Sequence, residues 1–280
     1  MTIFLLLVFF LLLLPIWASL TTYSFFWYEN GWKNGRTPEG EKLAEMAFRG
    51  FLSSLASLAF ITLTYPLGFI NKNRFKPQVL APGPVFILTH GLFHNASGWL
   101  LFSKHLRKAG FKNIFLMNYG SFSTSFENTY EKFEKFVLDV SSRAPGRPIY
   151  LIGHSLGGLL SRVYAERARG ENIPAAVITL GSPHQGAKLA ALAPGKLGSS
   201  LIYHGPLFER IESEATGLAC PGLALISPVD NMVMPFEAHM VPYEGWVYSQ
   251  TSPLSHTAML YSKPVAQTVI EFVKTLENRR

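Results

Sequence analysis

The stretch Ile149–Gly158 constrains the fold of this chain more than any other part of the sequence. An apolar, strand-like run enters Gly-His-Ser-Leu-Gly, and a helical pattern leaves it. The turn between them must be tight, because a Cβ at Gly153 or Gly157 would meet the neighbouring strand and helix. Ser155 is expected to adopt a strained backbone that presents its hydroxyl at the tip of the turn, with His154 supporting it. The pattern predicts a serine nucleophile.

Aspartate is scarce, and this narrows the search for a carboxylate partner. The chain has two aspartates, Asp139 and Asp230. In sheets with such a serine turn, the chain order is serine, acid, histidine. Asp139 precedes the serine, whereas Asp230 follows the strand-like run 223–227, so Asp230 is the predicted acid; an ordinary turn aspartate is the alternative reading. Glu237 and Glu244 lie further from any strand end and are weaker substitutes.

One histidine has the position expected of a general base. His256 follows both Asp230 and the next predicted strand, 245–248, and precedes the final helical stretch. A histidine in that loop can return over the serine and accept its proton. His239 competes for this role, but it comes before that strand. We therefore expect His256 to be the base.

An early turn supplies the expected oxyanion site. The buried-strand pattern Val85–Thr89 is followed by His90 and Gly91, and a His-Gly-apolar turn there resembles the second oxyanion element of lipases and esterases. The predicted donors are the backbone N–H groups of Leu92 and of Leu156, the residue after the nucleophile. His90 is expected to orient this loop rather than take part in the chemistry.

Three stretches together carry a family resemblance. Thr89–Leu92, Gly153–Gly158 and Thr179–Gly186 resemble the bacterial triacylglycerol lipase branch of the α/β-hydrolases. The third is the least generic, since it ends a strand in Gly-Ser-Pro-His-Gln-Gly. The resemblance covers about residues 80–275.

The resemblance implies a role for each site residue. Ser155 would be the nucleophile, His256 the base and Asp230 the group that orients it, with oxyanion donors at Leu92 and Leu156. The larger lipases of this branch carry a structural calcium site built from aspartates. No aspartate follows Asp230 in this chain, so we expect no such calcium site. Metal-binding histidine spacing is absent and the chain has one cysteine, so we expect no other metal, and we expect no cofactor.

The alternation of patterns after Pro77 predicts the fold class. Strand-like runs alternate with helical stretches at about 97–110, 124–143, 156–169 and 264–278. This predicts an α/β-hydrolase fold, a mainly parallel sheet of about six strands with helices on both faces, in a catalytic domain over residues 77–280. The Gly- and Ala-rich stretch 187–215 fits either a mobile apolar lid or a plain connection.

Two charge-free stretches precede this domain. Residues 1–28 carry no charged side chain, and neither does the 20-residue stretch Phe51–Ile70. A helix of about 20 apolar residues can cross a bilayer. We expect residues 1–70 to form a transmembrane hairpin that anchors an integral protein of the plasma or inner membrane. A cleaved signal peptide, an in-plane helix and a cap packed on the hydrolase are the alternatives.

Charge narrows the partners but leaves the orientation open. The net charge is +7, with basic residues scattered rather than gathered in a basic–aromatic surface, which argues against nucleic acid and favours lipid headgroups. The positive-inside rule does not decide which side carries the catalytic domain. The link between the two stretches and the segment after the second hold comparable basic residues: Lys33, Arg36, Lys42 and Arg49 against Lys72, Arg74 and Lys76.

The expected activity is hydrolysis of carboxylic esters with lipid-like acyl chains, through an acyl-enzyme. A thioesterase, a phospholipase or a lipid acyltransferase would use the same machinery. A membrane-bound binding module that kept the fold without activity is the non-enzyme alternative.

Overall fold

The computed structural model describes residues 2–31, 42–70 and 80–280. In that part of the chain six strands form one sheet: β1 Val85–Thr89, β2 Asn113–Met117, β3 Ile149–His154, β4 Ala176–Leu180, β5 Gly222–Ile226 and β6 Trp246–Gln250. The α-helices are α1 Thr2–Asn30, α2 Leu43–Thr64, α3 Leu67–Ile70, α4 Leu100–Lys108, α5 Phe126–Ser142, α6 Leu156–Arg167, α7 Gly195–Ser199, α8 Pro206–Glu214 and α9 Lys263–Glu277.

The sheet is entirely parallel and has the order β2-β1-β3-β4-β5-β6. The chain runs outward from β1 to β2 and then returns to place β3 on the other side of β1. This reversal creates a switch point between β1 and β3, and open parallel sheets bind ligands beyond the carboxyl ends of the strands at such a point. The predicted α/β-hydrolase fold with about six strands is confirmed.

Helices cover both faces of the sheet because successive side chains of each strand point to opposite sides. On β1, Val85 and Ile87 pack with α5 and α6, whereas Phe86 and Leu88 pack with α4 and α9. All four are fully buried. Continuous apolar runs such as this are what a parallel strand with both faces covered requires.

Small departures from the predicted boundaries have local causes. Asn95 accepts a hydrogen bond from the N–H of Ser97, so a 3-10 turn, Ala96–Trp99, precedes α4 where a single helix from residue 97 was expected. The stretch 187–215 contains a 3-10 turn, Lys188–Leu192, followed by α7 and α8, with no long helix. Whether it moves as a lid stays open.

The two N-terminal stretches form long helices that pair with each other. Ser19 Oγ donates to Ser54 Oγ across the pair at 2.8 Å, and the rings of Tyr23 and Phe51 meet edge to face. Within the described residues, α2 is the helix long and apolar enough to cross a membrane, with 22 residues and a mean hydropathy of 1.5.

The membrane hairpin and the domain boundary stay predictions. Five of the basic residues that flank the two N-terminal stretches lie outside the described residues: Lys33, Arg36, Lys72, Arg74 and Lys76.

Candidate active site

Ser155 lies at the turn between β3 and α6, with φ 54° and ψ −125°. Its N–H donates to the carbonyl of Leu180 at 2.9 Å, which ties the turn to the end of β4. The glycines on either side allow the close approach that this turn requires. A Cβ on Gly153 would lie 2.2 Å from the carbonyl carbon of Gly157, and a Cβ on Gly157 would lie 2.1 Å from the carbonyl oxygen of Thr89. The strained geometry expected for Ser155 is present.

Asp230 and His256 meet in a buried hydrogen bond at the same edge of the sheet. Asp230 follows β5, and His256 follows β6. His256 Nδ1 lies 2.8 Å from Asp230 Oδ2. Because a carboxylate can only accept, Nδ1 carries the proton and Nε2 of a neutral ring keeps its lone pair. This is the tautomer in which histidine can act as a base toward a serine hydroxyl.

The surroundings of Asp230 favour its ionised form. Burial opposes ionisation, but the charge of His256 and its hydrogen bond, followed by His239 and the N–H of Val233, lower the pKa of this carboxyl to about 2. Its other oxygen, Oδ1, accepts from the N–H groups of Met232 and Val233 at 2.9 Å each. Asp230 is therefore a fixed negative charge at neutral pH.

The competing side chains differ in their placement. His239 Nε2 lies 3.8 Å from Asp230 Oδ2, which is beyond hydrogen-bond distance. Burial, and to a lesser extent the charge of His256, lower the pKa of His239 although the Asp230 carboxylate is near. Glu237 and Glu244 are exposed. Asp139 lies on α5 and pairs with Arg143, the residue that follows this helix, at 3.9 Å. The geometry favours the pair of Asp230 with His256.

The loop after β1 lies against the serine. A Cβ on Gly91 would come within 2.8 Å of the Ser155 Cβ, so a larger residue at this position would press on the nucleophile. Leu92 follows, and the next residue, Phe93, has φ 57° and donates its N–H to Ser121 Oγ at 2.9 Å. On the other side, Leu156 opens α6, and the first N–H groups of a helix have no acceptor within it.

His90 makes its contacts with the backbone of this loop and of the next strand end. Its Nδ1 lies 2.8 Å from the carbonyl oxygen of Gly91, and the N–H of Tyr119 donates to its Nε2 at 3.2 Å. The rings of His90 and Tyr119 stack at 4.2 Å. Burial is the main cause that lowers the pKa of His90 to about 3, so the ring is neutral. These contacts fit a loop-orienting residue.

His154 connects the serine turn to the base loop. Its Nε2 lies 3.0 Å from the carbonyl oxygen of His256, and the two rings are 4.6 Å apart. Burial, with the nearby charge of His256, lowers the pKa of His154 well below its ordinary value. A neutral ring that donates through Nε2 holds the backbone of His256 beside the turn.

The Gly-Ser-Pro-His-Gln-Gly loop fills the space beside the acid–base pair. Gly181 has φ 56°, and a Cβ there would lie 3.0 Å from Asp230 Oδ2 and 3.2 Å from His256 Nδ1. Arg162 of α6 donates to the carbonyl of His184 at 2.9 Å and pairs with Glu166 at 2.6 Å, with both charged side chains buried. The bond from Arg162 to His184 thus ties this loop to α6, and the ion pair holds Arg162 in place.

A cavity of about 810 Å³ opens beside the loop after β1. Aromatic rings line part of its wall, beside the polar side chains of His94, Asn95, Asn118 and Ser121. The rings of Phe93 and Phe122 pack at 4.9 Å. Its lining residues come from the end of α2, α3, the loop after β1 and the region after β2, and include Tyr65, Phe69, Phe93, Leu116, Phe122 and Phe136. The size and lining suit an apolar ligand.

One polar residue at this site escaped the sequence analysis. Asn231 Oδ1 accepts from the N–H of His256 at 3.1 Å, and its Nδ2 donates to Thr22 Oγ1 of α1 at 2.6 Å. The only signal in the sequence is its place beside Asp230. The residues that the sequence analysis predicted for the site lie at the carboxyl edge of the sheet: Ser155, Asp230, His256, Leu92 and Leu156.

Comparisons with known proteins agree with this architecture. The family described as "alpha/beta hydrolase fold" matches residues 84–197. The mature Bacillus licheniformis lipase BlEst2 superposes with a TM-score of 0.59 at 16% identity over 72% of this chain and 96% of that chain. A hydrolase from a lagoon-sediment metagenome, MGS-MChE2, gives a TM-score of 0.54 at 16% identity over 70% of this chain and 93% of that one.

A short sequence match comes from a larger protein. A stretch of 49 residues is 43% identical to a GPI inositol-deacylase of Candida albicans. It spans 18% of this chain and 13% of that protein.

Proposed function

We propose that this chain, which has the α/β-hydrolase fold, is a membrane-associated serine hydrolase that cleaves carboxylic esters of lipid-like substrates. One observation carries the proposal. The hydrogen-bonded pair of Asp230 and His256 lies at the sheet edge where Ser155 is presented on a strained turn. Such a constellation is recognised by the roles its geometry allows rather than by the fold alone.

The reaction follows from this arrangement. Ser155 Oγ attacks the ester carbonyl as its proton passes to His256 Nε2, and the N–H groups of Leu92 and Leu156 bind the oxyanion. The tetrahedral species collapses, the ester C–O bond breaks, and His256 gives its proton to the leaving alcohol. Water then attacks the acyl-enzyme, with its proton taken by His256, and the carboxylic acid leaves as Ser155 regains a proton. Asp230 stays ionised and stabilises the imidazolium.

Two features support a lipid-like substrate. The cavity beside the loop after β1, lined by aromatic and polar side chains, is large enough for an acyl chain. The outward side chains of α1 and α2 are also apolar, with Trp17 65%, Leu52 49% and Leu63 79% exposed. Exposed apolar surface of this kind marks a membrane or partner site. The local match to a protein named for deacylating the inositol of GPI is consistent with an ester in a lipid.

A fluorophosphonate probe tests the nucleophile. The wild-type chain should be labelled, and Ser155→Ala should lose labelling and lose ester hydrolysis by about 10³-fold or more while remaining folded. Ser142→Ala, on the exposed end of α5, is the matched control and should keep both. Turnover by a folded Ser155→Ala protein at the wild-type rate would refute the assignment.

A substrate panel separates the activities that share this machinery. We expect p-nitrophenyl esters with longer acyl chains to be cleaved in preference to thioesters and to the acyl bonds of phospholipids. Faster turnover of a thioester or a phospholipid would reassign the enzyme to that class, and transfer of the acyl group to an added alcohol would make it an acyltransferase. An intact fold without probe labelling would favour a binding module.

Membrane extraction tests the anchor. A protein with two apolar helices embedded in the bilayer should stay in the membrane through washes with salt and alkaline carbonate and should require detergent for release. A mature chain that begins near Ser19 would instead indicate a cleaved signal peptide, and full release by carbonate would defeat the hairpin. Labelling of cysteines introduced at positions 33 and 76 would report which side of the membrane carries the hydrolase.

A further inference from the structure

Helix α2 lies across the carboxyl edge of the sheet and touches the site along its length. At one end, Gly50 packs against Val229, the residue before Asp230, so closely that a Cβ on the glycine would lie 2.8 Å from the valine side chain. At the other end, the carbonyl of Tyr65 accepts from Asn95 Nδ2 at 2.9 Å, near the oxyanion loop. The helix therefore covers the loops that carry the proposed acid, base and oxyanion donors.

The residues on either side of Asp230 are bonded to α1. Tyr23 donates its hydroxyl to the carbonyl of Val229 at 3.0 Å. Asn231 Nδ2 donates to Thr22 Oγ1 at 2.6 Å, and Thr22 Oγ1 donates in turn to the carbonyl of Ala18 in its own helix. The acid is thus held between two attachments to the first helix.

The residues on either side of His256 are bonded to α2. The N–H of Ser255 donates to Ser53 Oγ at 2.7 Å, and the hydroxyls of Ser57 and Thr257 lie 2.7 Å apart. The N–H of His256 itself donates to Asn231 Oδ1, the side chain that α1 holds. The base loop is therefore attached to α2 by two direct bonds and to α1 through Asn231.

We propose that Thr22 and Tyr23 of α1 and Ser53 and Ser57 of α2 are positioning residues for the Asp230–His256 pair. This inference rests on the proposed function. Helices α1 and α2 would then support the geometry of the active site. The four hydroxyl groups bond to the residues on both sides of the acid and of the base, Tyr23 and Ser53 to backbone atoms and Thr22 and Ser57 to side chains. A displacement of about 1 Å in a reacting group costs of order 10²-fold in rate.

The test compares hydroxyl removal at these positions with hydroxyl removal elsewhere on the same helices. Thr22→Val removes the acceptor of Asn231, and Ser53→Ala removes the acceptor of the Ser255 N–H. Both substitutions change the side-chain shape little, and they are made singly and together. The matched controls are Ser24→Ala on α1 and Thr62→Val on α2, whose hydroxyls bond only within their own helix. Full-length proteins in one detergent are compared by p-nitrophenyl ester kinetics, by fluorophosphonate labelling rate and by thermal unfolding.

The double variant should lose about tenfold or more in kcat and in labelling rate, with KM changed by less than about threefold. Its kcat–pH profile should shift, because the base is no longer held against its carboxylate in the same geometry. The variant Thr22→Ser, which restores a hydroxyl, should recover kcat where Thr22→Val does not. The controls should match the wild type in all of these measurements.

The outcomes separate this inference from the proposed function. If the wild type is labelled at Ser155 and the double variant keeps kcat, labelling rate and pH profile within twofold of the controls, the positioning role is refuted and the hydrolase assignment stands. A loss of kcat that disappears on cooling to a temperature at which the variant is fully folded would likewise refute it, since that is a purely structural effect. A wild type that is not labelled at Ser155 would remove the proposed function itself.

Discussion

The strained backbone at Ser155 makes a prediction whose sign differs from that at an ordinary serine. Its φ of 54° and ψ of −125° lie where a residue with a Cβ is rarely found. Such a conformation costs about 1–3 kcal/mol, and glycine does not incur it. Glycine has its own entropic cost of about 0.5–1 kcal/mol relative to alanine. Ser155→Gly should therefore be more stable than Ser155→Ala by about 1 kcal/mol.

The comparison of glycine with alanine isolates the backbone effect. Both variants lack the hydroxyl, so any contact made by Oγ is lost equally in each. The control is Ser213, an exposed residue within α8, where the same pair should have the opposite order, with glycine less stable by about 0.5–1 kcal/mol.

Thermal unfolding of the four variants in one detergent, followed by tryptophan fluorescence, measures these differences. In a protein of this size 1 kcal/mol corresponds to about 2–4 °C in Tm. If Ser155→Gly unfolds below Ser155→Ala, as glycine does at an unstrained position, the reasoning from backbone strain is wrong. Neither Ser155 variant should hydrolyse esters.

Three further predictions concern charges at and around the site. Asp230→Asn should lose about 10⁴-fold in kcat, because the amide favours the wrong imidazole tautomer of His256, while Asp139→Asn keeps its activity. Steady-state kinetics measure both variants, and nearly normal activity in Asp230→Asn would assign the acid to Glu237 or Glu244. Arg162→Met should lower the free energy of unfolding by about 3–5 kcal/mol, because it leaves the buried carboxylate of Glu166 without its charged partner. Denaturant unfolding measures this, and Arg210→Met, at the exposed pair with Glu127, should cost less than about 1 kcal/mol. His90 has a pKa of about 3 in the folded protein and about 6.5 in the unfolded chain, so its contribution to stability is lost as the pH falls below about 6.5. His90→Gln should reduce the slope of the unfolding free energy against pH by about 1.4 kcal/mol per pH unit between pH 6 and 4. An unchanged slope would contradict a buried neutral ring.

The strands could be predicted because each is a short apolar run between turn residues. β1 begins and ends at the residues that the pattern indicates, Val85–Thr89. The gathering of Ser155, Asp230 and His256 at one edge also followed from the sequence, because parallel strands end at the same side of a sheet. Their catalytic roles remain predictions.

What the sequence did not reveal are contacts between distant parts of the chain. Nothing in the pattern around Asn231 indicates that its amide would reach Thr22, which lies 209 positions earlier. The close approach of His239 to Asp230 also depends on how the loop after β5 folds back on itself. Periodicity reports which face of an element is buried, but it does not report the partner.

The attachment of α1 and α2 to the loops after β5 and β6 has a consequence for the order in which the protein assembles. The bonds from Tyr23 to Val229 and from Ser57 to Thr257 join residues 206 and 200 positions apart. At a synthesis rate of about 5–20 residues per second, the N-terminal helices emerge some 10–40 s before the loops they hold. During that interval the hydroxyls that face the site have no loop to bind. Asp230 and His256 are thus set in place late in synthesis, once the loops after β5 and β6 have closed onto α1 and α2.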